Sequence, residues 1–211
     1  MKLYYIPSAC SFSPHIVANE LGLSIELVKV DSKTKRTEHG EDYLAINPKG
    51  YVPALQLDDG SVLTEGPAVV QYLADLKPEA QLAPANGSMA RYRLQEMLGY
   101  INSELHKSYI PLFNPASSDD VRTERMAHLH KHYGLIEAAL GRTPFLLGEQ
   151  FSITDAYLFV VTRWAEFVKR ASVEKFLRSP PSAYPVTEES PARNGDVVQD
   201  DAFVATAGQD E

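Results

Sequence analysis

Cysteine is almost absent from this sequence of 211 residues, in which Cys10 is the single example. One cysteine cannot form a disulfide bond within the chain, and such a composition is typical of proteins from a reducing compartment. The first residues, MKLYYIPSAC, also lack the basic segment and the continuous apolar run of a secretory signal peptide. We therefore expect a cytoplasmic protein.

Long apolar runs and excess positive charge are lacking as well. No apolar stretch approaches the roughly 20 residues that a membrane-spanning helix needs, and the formal net charge is -8 at pH 7. Such a charge is unfavourable for binding the phosphate backbone of nucleic acids. We therefore expect neither a membrane nor a nucleic acid as partner. With 44% hydrophobic residues, the chain can bury the core of one large or two small domains.

Much of the negative charge lies at the end of the sequence. Between residues 186 and 211, seven acidic residues stand against one basic residue, Arg193. The segment has no helical or alternating apolar pattern that could bury one face. We interpret residues 179–211 as an acidic, irregular tail.

The spacing of apolar residues divides the rest of the sequence into two regions. Residues 1–77 predict short strands at LYYI, ELVKV and ALQL, a hairpin that turns at DDG, and helices at HIVANELGL and AVVQYLADL. Residues 78–88 are rich in proline and small polar residues and predict a linker. In residues 89–178, apolar residues recur at spacings of three and four, which predicts an all-helical domain.

Cys10 lies in PSACSFSPH, between a predicted strand and a predicted helix start. The free N–H groups at a helix N-terminus favour a thiolate and lower the pKa of a cysteine there. Ser11 and Ser13 could cap the helix or donate hydrogen bonds to the sulfur. An inert, buried cysteine is an equally good interpretation of this spacing alone.

Two further stretches suit a peptide-like ligand. In NPKGYVPAL, a cis peptide bond before Pro53 would expose the backbone of Val52 to an extended peptide, although an ordinary trans proline turn is more common. In LTEGP, the carboxylate of Glu65 adjoins a helix N-terminus at Gly66, and the two together suit the ammonium and carboxylate groups of an amino acid. The simpler interpretation of Glu65 is an acidic residue that favours the start of a helix.

In this order, the three stretches resemble a bacterial glutathione transferase of the beta class. The resemblance covers roughly residues 1–169 and includes PSACSFSPH, NPKGYVPAL, LTEGPAVVQYLAD, SELHKSYIPLF and FSITDAYLFV. It implies the glutathione transferase fold, with an α/β thioredoxin-like N-terminal domain and an all-α C-terminal domain. It also implies a homodimer, in which the first domain of one subunit contacts the helical domain of the other.

The resemblance implies catalytic roles for Cys10, His106 and Lys107. The spacing of Gly99, Ser103 and His106 also predicts a polar or small stripe on one helix face, which could form one wall of a cleft. A solvent-exposed helix face is the alternative interpretation of His106 and Lys107.

Glutathione, as the resemblance implies, would lie with its thiol near the cysteine and its cysteinyl backbone on Val52, ahead of a cis Pro53. Its γ-glutamyl group would bind Glu65 and the N–H of Gly66, and Lys35 would approach the glycyl carboxylate. The predicted glutathione-binding residues are Cys10, Ser11, Lys35, Val52, Pro53, Glu65, Gly66, Gly99, Ser103 and His106.

Three histidines raise the question of a metal site. His128 and His132 share one helix face, His130 lies between them, and Glu124 lies one turn earlier. Basic residues are interspersed among them, and no carboxylate or cysteine completes an evident set of ligands. We interpret them as a solvent-exposed face and predict no metal.

The implied activity is conjugation of glutathione, as co-substrate, to small hydrophobic electrophiles, with thiol–disulfide exchange through Cys10 as a second reaction. Two alternatives stay open. One is a glutathione-dependent reductive dehalogenase of metabolites from aromatic degradation. The other is a non-catalytic module that binds glutathione or another protein. The complete set of Cys10, His106 and Lys107 favours catalysis.

The end of the sequence departs from the family pattern. SAYP occurs only at Ser182–Pro185, and no amphipathic helix follows it. Because the loss of a packed final helix exposes apolar surface at a cost of about 25 cal/mol per Å², we expect this end to lower the stability of the helical domain.

Overall fold

The structure of the chain is a computed structural model that describes residues 1–168. The predicted acidic tail and the last part of the predicted helical domain lie outside the described residues.

A four-stranded mixed sheet forms the first region. Its strands are β1 (Lys2–Tyr5), β2 (Glu26–Lys29), β3 (Ala54–Gln56) and β4 (Val62–Thr64), in the order β2-β1-β3-β4. β1 pairs in parallel with β2 and antiparallel with β3, and β3 pairs antiparallel with β4. The predicted hairpin is therefore present. Leu3 and Leu55 are register partners on β1 and β3, and both are fully buried.

Helices cover the sheet and build the second region. The α-helices of residues 1–168 are α1 (Phe12–Glu20), α2 (Tyr43–Ile46), α3 (Gly66–Asp75), α4 (Met89–Tyr100), α5 (Lys107–Phe113), α6 (Asp119–Leu140) and α7 (Ile153–Phe167). Helix α1 connects the parallel strands β1 and β2, because a parallel pair needs a crossover. A short 3₁₀ turn, Pro78–Ala80, lies in the predicted linker.

A π-helical turn, Ile101–His106, joins α4 to α5. A π-helix has more residues in each turn than an α-helix. Residues three or four positions apart share one face of an α-helix, but they point in different directions when the segment is π-helical. This turn decides which side chains of the second region reach the site described below.

Helix α7 lies at the centre of the core. Most of its residues are buried, and it contacts α1 and α3 of the first region as well as α4 of the second. The indole of Trp164 donates a hydrogen bond to the Ser8 carbonyl at 2.9 Å, which ties the end of α7 to the loop before α1. One apolar core thus extends through both regions and fixes the groove between them. Among the described helices, none combines the length and apolar character needed to cross a membrane.

Candidate active site

A cleft separates the sheet region from the helices of the second region. From the first region it is lined by Ile6, Ala9, Cys10, Asn47, Lys49, Gly50, Tyr51, Val52, Pro53, Thr64, Glu65 and Gly66. From the second region it is lined by Asn102, His106, Lys107, Ile110, Phe113, Tyr157 and Trp164. The structure therefore brings together seven of the predicted site residues: Cys10, Val52, Pro53, Glu65, Gly66, His106 and Lys107.

Cys10 is partly buried in the loop that precedes α1, and its thiol donates a hydrogen bond to the Val52 carbonyl at 3.2 Å. Burial is the largest influence on the pKa of Cys10 and raises it to about 12. The backbone N–H groups of Cys10 and Ser11 and the charge of Lys107 lower this pKa, as a helix start should, but they do not outweigh burial. The thiol of the free protein is therefore protonated at neutral pH.

The serines beside Cys10 stabilise the loop rather than the sulfur. The Ser11 hydroxyl donates to the Ile6 carbonyl at 3.2 Å and accepts from the Ile6 N–H at 3.3 Å, and Ser13 donates to the Cys10 carbonyl at 2.9 Å. The Ser11 side chain is buried behind the cleft. The hydroxyl satisfies a backbone group that burial would otherwise leave unpaired, and the contact of Ser11 with glutathione stays a prediction.

The Val52–Pro53 peptide bond is cis, as the resemblance implies. A buried pair of side chains supports the turn before it: Tyr51 O accepts hydrogen bonds from the Tyr43 hydroxyl at 2.7 Å and from Asn47 Nδ2 at 2.8 Å. The turn presents Val52, whose carbonyl is the acceptor of the thiol, to the cleft.

Glu65 and Lys49 form an ion pair at the polar end of the cleft. Lys49 Nζ lies 2.8 Å from Glu65 Oε1 and also donates to Thr64 Oγ1 at 3.1 Å. Glu65 precedes α3 with φ = +69°, a left-handed conformation that is costly for a residue with a Cβ atom and that concentrates at functional sites. Its carboxylate and the N-terminus of α3, at Gly66, consequently face the same space.

Lys35 is not among the residues that line the cleft, and its contact with glutathione stays a prediction. Its ammonium donates to the Gly50 carbonyl at 3.2 Å, and burial lowers its pKa. The cationic side chain that lines this side of the cleft is Lys49, which was not predicted from the sequence. Lys49 lies in NPKGYVPAL, a stretch that was predicted to bind the ligand, and this position could have identified it from the sequence.

His106 belongs to a hydrogen-bonded chain that ends in α7. Its Nδ1 lies 2.6 Å from the Tyr157 hydroxyl oxygen, and the Tyr157 hydroxyl donates to Asn102 Oδ1 at 2.9 Å. Because the Tyr157 hydroxyl donates its proton to Asn102, its oxygen can accept from His106 Nδ1–H, and Nε2 of His106 carries the lone pair. Burial, followed by the charge of Lys107, lowers the pKa of His106 to about 4, so the imidazole is neutral at neutral pH. Its ring also packs edge-on against Trp164 at 4.8 Å between centroids.

The sequence matches two family models: the glutathione S-transferase N-terminal domain over residues 7–76 and the glutathione S-transferase C-terminal domain over residues 119–187. The glutathione S-transferase GstA of Escherichia coli O157:H7 is 48% identical over 169 residues, which make up 80% of this chain and 84% of that protein. The chain belongs to the glutathione S-transferase family.

Solved structures of bacterial transferases resemble this one. BphK, a bacterial glutathione S-transferase solved as a ternary complex, has a TM-score of 0.79 and 52% identity, and the match covers 84% of this chain and 98% of BphK. A sphingomonad enzyme solved with glutathione has a TM-score of 0.78 and 40% identity, with 86% and 94% covered. A beta-class enzyme of Sphingomonas chungbukensis is equally similar, with a TM-score of 0.78, 40% identity and the same coverage. The predicted family, fold and enzyme class are confirmed, and the co-substrate of this transferase is glutathione.

Two further predicted glutathione contacts, Gly99 and Ser103, lie at or near the π turn. Gly99 and Ser103 are exposed on the surface of the second region, outside the cleft, and the Ser103 hydroxyl donates to Glu104 Oε1 at 3.0 Å. The prediction assumed one continuous α-helix. His106 lines the cleft, whereas Gly99 and Ser103 do not, and their contact with glutathione stays a prediction.

Tyr157 and Asn102, which hold His106, were not predicted from the sequence. Tyr157 lies in FSITDAYLFV among buried apolar residues of α7, where an aromatic residue looks like part of the core. Its hydroxyl and the His106 ring are 51 positions apart in sequence. Only the packing of α7 against the π turn could reveal the contact.

Lys107 should increase the reactivity of Cys10 in the free transferase, because its charge favours the thiolate. Replacing Lys107 by Gln is expected to slow alkylation of Cys10 by iodoacetamide about threefold or more, whereas Lys107→Arg, which keeps the charge, should react nearly as the wild type does. Because the pKa of Cys10 is raised to about 12, the rate should continue to rise up to about pH 10 in all three proteins. A plateau in the wild-type rate near neutral pH would contradict this prediction.

Proposed function

We propose that this transferase conjugates glutathione to small hydrophobic electrophiles and also exchanges disulfides through Cys10, with Cys10, His106 and Lys107 as its catalytic residues. The observation that carries the proposal is the position of the Cys10 thiol, 3.2 Å from the Val52 carbonyl in a cleft that both regions line. The thiol therefore lies beside the space in which a ligand would bind.

Glutathione is proposed to lie along the polar side of the cleft. Its cysteinyl N–H would pair with the Val52 carbonyl, and its γ-glutamyl ammonium would pair with Glu65. The N–H of Gly66, at the N-terminus of α3, would donate to the γ-glutamyl carboxylate. The sphingomonad relative, which was solved with glutathione, supports a glutathione site in this fold.

Binding of glutathione in this way would free the Cys10 thiol. In the free protein that thiol uses the Val52 carbonyl as its acceptor, and a bound peptide N–H would compete for the same oxygen. The thiol would then be available to the sulfur of glutathione. This exchange of partners would allow a thiol that is weakly acidic in the free protein to react with its ligand.

The electrophile is proposed to bind on the apolar side of the cleft, against Ile110, Phe113 and Trp164. The positive charge of Lys107 favours the glutathione thiolate, and the neutral His106 can hydrogen-bond without adding charge. The thiolate attacks the electrophilic carbon, a carbon–sulfur bond forms, and the leaving group departs with its electron pair.

Disulfide exchange is proposed as the second reaction. The Cys10 thiolate attacks one sulfur of oxidised glutathione, the Cys10–glutathione disulfide forms, and one glutathione thiolate leaves. The proton of the Cys10 thiol is released to solvent or to that leaving thiolate. No further oxidant is needed.

The transferase is also proposed to act as a homodimer in the cytoplasm. Large apolar side chains are exposed on α4 and α6, among them Met89 at 70%, Tyr92 at 56% and Leu135 at 57%, and such side chains are often covered in an oligomer. A reactive thiol persists in a reducing compartment. Light scattering of the purified protein tests the dimer, which a monomeric mass would exclude.

Cys10→Ala tests the proposal most directly. After incubation with oxidised glutathione, intact mass should show one glutathione adduct on the wild type and none on Cys10→Ala, because Cys10 is the only cysteine of the chain. The adduct should form faster at higher pH, since burial raises the pKa of this thiol.

Conjugation and glutathione binding are measured on the same samples. A wild-type protein that conjugates glutathione without forming the adduct would eliminate the exchange reaction alone. A folded wild-type protein that binds glutathione but forms neither adduct nor conjugate would instead favour the non-catalytic module.

A further inference from the structure

Three side chains with metal-binding atoms meet outside the cleft, where the π turn passes α6. Glu104 Oε2 lies 3.3 Å from His128 Nε2 and 3.6 Å from His132 Nε2. All three donor atoms lie within 4.8 Å of one another. The two imidazole rings, one turn apart on α6, stack with their centroids 4.1 Å apart. Donors from two helical segments thus converge on one point.

The separations of these atoms suit a transition metal ion. Zinc binds imidazole nitrogen and carboxylate oxygen at about 2.0–2.2 Å with tetrahedral geometry, which puts neighbouring ligand atoms roughly 3.3–3.6 Å apart. The two nitrogen–oxygen distances already lie in this range. Two histidines and one carboxylate, with a position left for water, form a common set of ligands for such ions.

Further hydrogen bonds orient two of the three ligands. His132 Nδ1 lies 2.8 Å from the Tyr100 hydroxyl oxygen. A proton on Nδ1, donated to that oxygen, leaves the Nε2 lone pair directed toward Glu104, which is the usual arrangement of a metal-binding histidine. The Ser103 hydroxyl donates to Glu104 Oε1 at 3.0 Å and leaves Oε2 for the ion.

The carboxylate comes from an unexpected part of the chain. Sequence spacing offered Glu124, but Glu124 Oε1 lies 3.3 Å from Arg125 Nη2 on an exposed part of α6. Glu104 belongs to the π turn and is brought to α6 by the packing of the second region. The side chains of Glu104, His128 and His132 are 35%, 29% and 12% exposed, so an ion can enter from solvent.

We propose that Glu104, His128 and His132 bind a divalent transition metal ion, such as Zn²⁺ or Co²⁺, at a site separate from the glutathione cleft. The site goes beyond the transfer reaction, for which the family implies no metal. An ion bound there would join α6 to the π turn that carries His106.

Co²⁺ titration of tag-free protein tests this site. The starting protein is Cys10→Ala, because a thiol is itself a good ligand for such ions. One equivalent of Co²⁺ should produce the visible absorption of a low-coordinate complex, and Zn²⁺ should displace it. His132→Gln and Glu104→Gln should each weaken binding about tenfold or more, and Tyr100→Phe, which removes the partner of a ligand, should weaken it by about tenfold.

His130→Gln is the matched control. His130 is exposed on the same helix and should leave both the spectrum and the affinity unchanged. Zn²⁺ should also raise the melting temperature of the starting protein but not that of His132→Gln, because only a ligand of the folded state stabilises it. Circular dichroism verifies folding, and His128→Gln replaces any variant that does not fold.

Three results would overturn the proposal. The folded starting protein could produce no Co²⁺ spectrum. His130→Gln could weaken binding as much as His132→Gln does. Binding could persist unchanged in both Glu104→Gln and His132→Gln, and the ion would then lie elsewhere. In each case the three side chains form only a hydrogen-bonded cluster.

Discussion

Replacing Asp155 by alanine is expected to lower the free energy of unfolding by about 3–5 kcal/mol. The Asp155 carboxylate is buried near the start of α7 and forms the predicted capping box with Ser152. Its Oδ1 accepts the Leu146 N–H at 2.8 Å, and its Oδ2 accepts the Ser152 N–H at 2.9 Å and the Ser152 hydroxyl at 2.8 Å. Without the carboxylate, two buried N–H groups lose their acceptors.

The loss should be large because α7 supports both the core and the site. Most of its residues are buried, and it carries Tyr157 and Trp164 into the cleft. A helix that begins at the wrong residue would move both side chains. We therefore expect Asp155→Ala to lose glutathione conjugation at temperatures at which the wild type remains active.

Urea unfolding at neutral pH measures the effect. Asp155→Asn keeps one acceptor oxygen and should lose roughly half as much stability. Asp120→Ala is the matched control, because Asp120 is also an acidic residue in the first turn of a helix but is exposed, and its loss should change the midpoint little. Equal midpoints for Asp155→Ala and Asp120→Ala would refute the importance of the buried cap.

Asp75→Ala is expected to destabilise the protein by about 3 kcal/mol. Asp75 at the end of α3 binds the guanidinium of Arg91 on α4 through both oxygens, at 2.8 and 2.9 Å. The pair joins the sheet region to the helical region. Arg91 is buried, so removing Asp75 leaves an uncompensated charge within the protein. Because 39% of the Asp75 side chain is exposed, solvent screening keeps the loss at the lower end of the range for buried pairs.

Arg91→Met should cost less than Asp75→Ala, since the carboxylate that remains can be hydrated and the methionine fills the buried space. The comparison of these two losses in free energy of unfolding is the most specific test of the buried charge. Glu96→Ala is the control, because its pair with Arg93 is exposed at both ends and should contribute little. If Arg91→Met were the less stable variant, the buried charge would not be the cause.

The Asp75 pair also predicts how stability depends on pH. Burial raises the pKa of Asp75, but hydrogen bonds from Arg91 and Asn86 outweigh it, so the pKa lies below its usual value. A lowered pKa contributes stability at pH values above the unfolded pKa of about 3.9, and this stability is lost as pH falls through the folded pKa. Urea midpoints between neutral and acidic pH should thus fall more steeply for the wild type than for Asp75→Asn.

Local sequence determined much of the fold. The hairpin that turns at DDG and the capping box of Ser152 and Asp155 depend on residues within a few positions of one another, and both are present. The order of strands and helices then leaves few arrangements for the first region. The stretches around Cys10, Pro53 and Glu65, which the resemblance places in one site, line the same cleft.

Only the tertiary structure decided which side chains face the cleft and which pairs form. Gly99 and Ser103 are exposed outside the cleft that His106 lines, and no apolar period in the sequence signals the π turn that carries Ser103 and His106. Burial outweighs the helix start at Cys10 and raises the pKa of its thiol. Tyr157 reaches His106 across 51 positions, and Glu104 meets His128 on another helix. Sequence patterns record neighbours along the chain, whereas burial and long-range pairing exist only after the helices have packed.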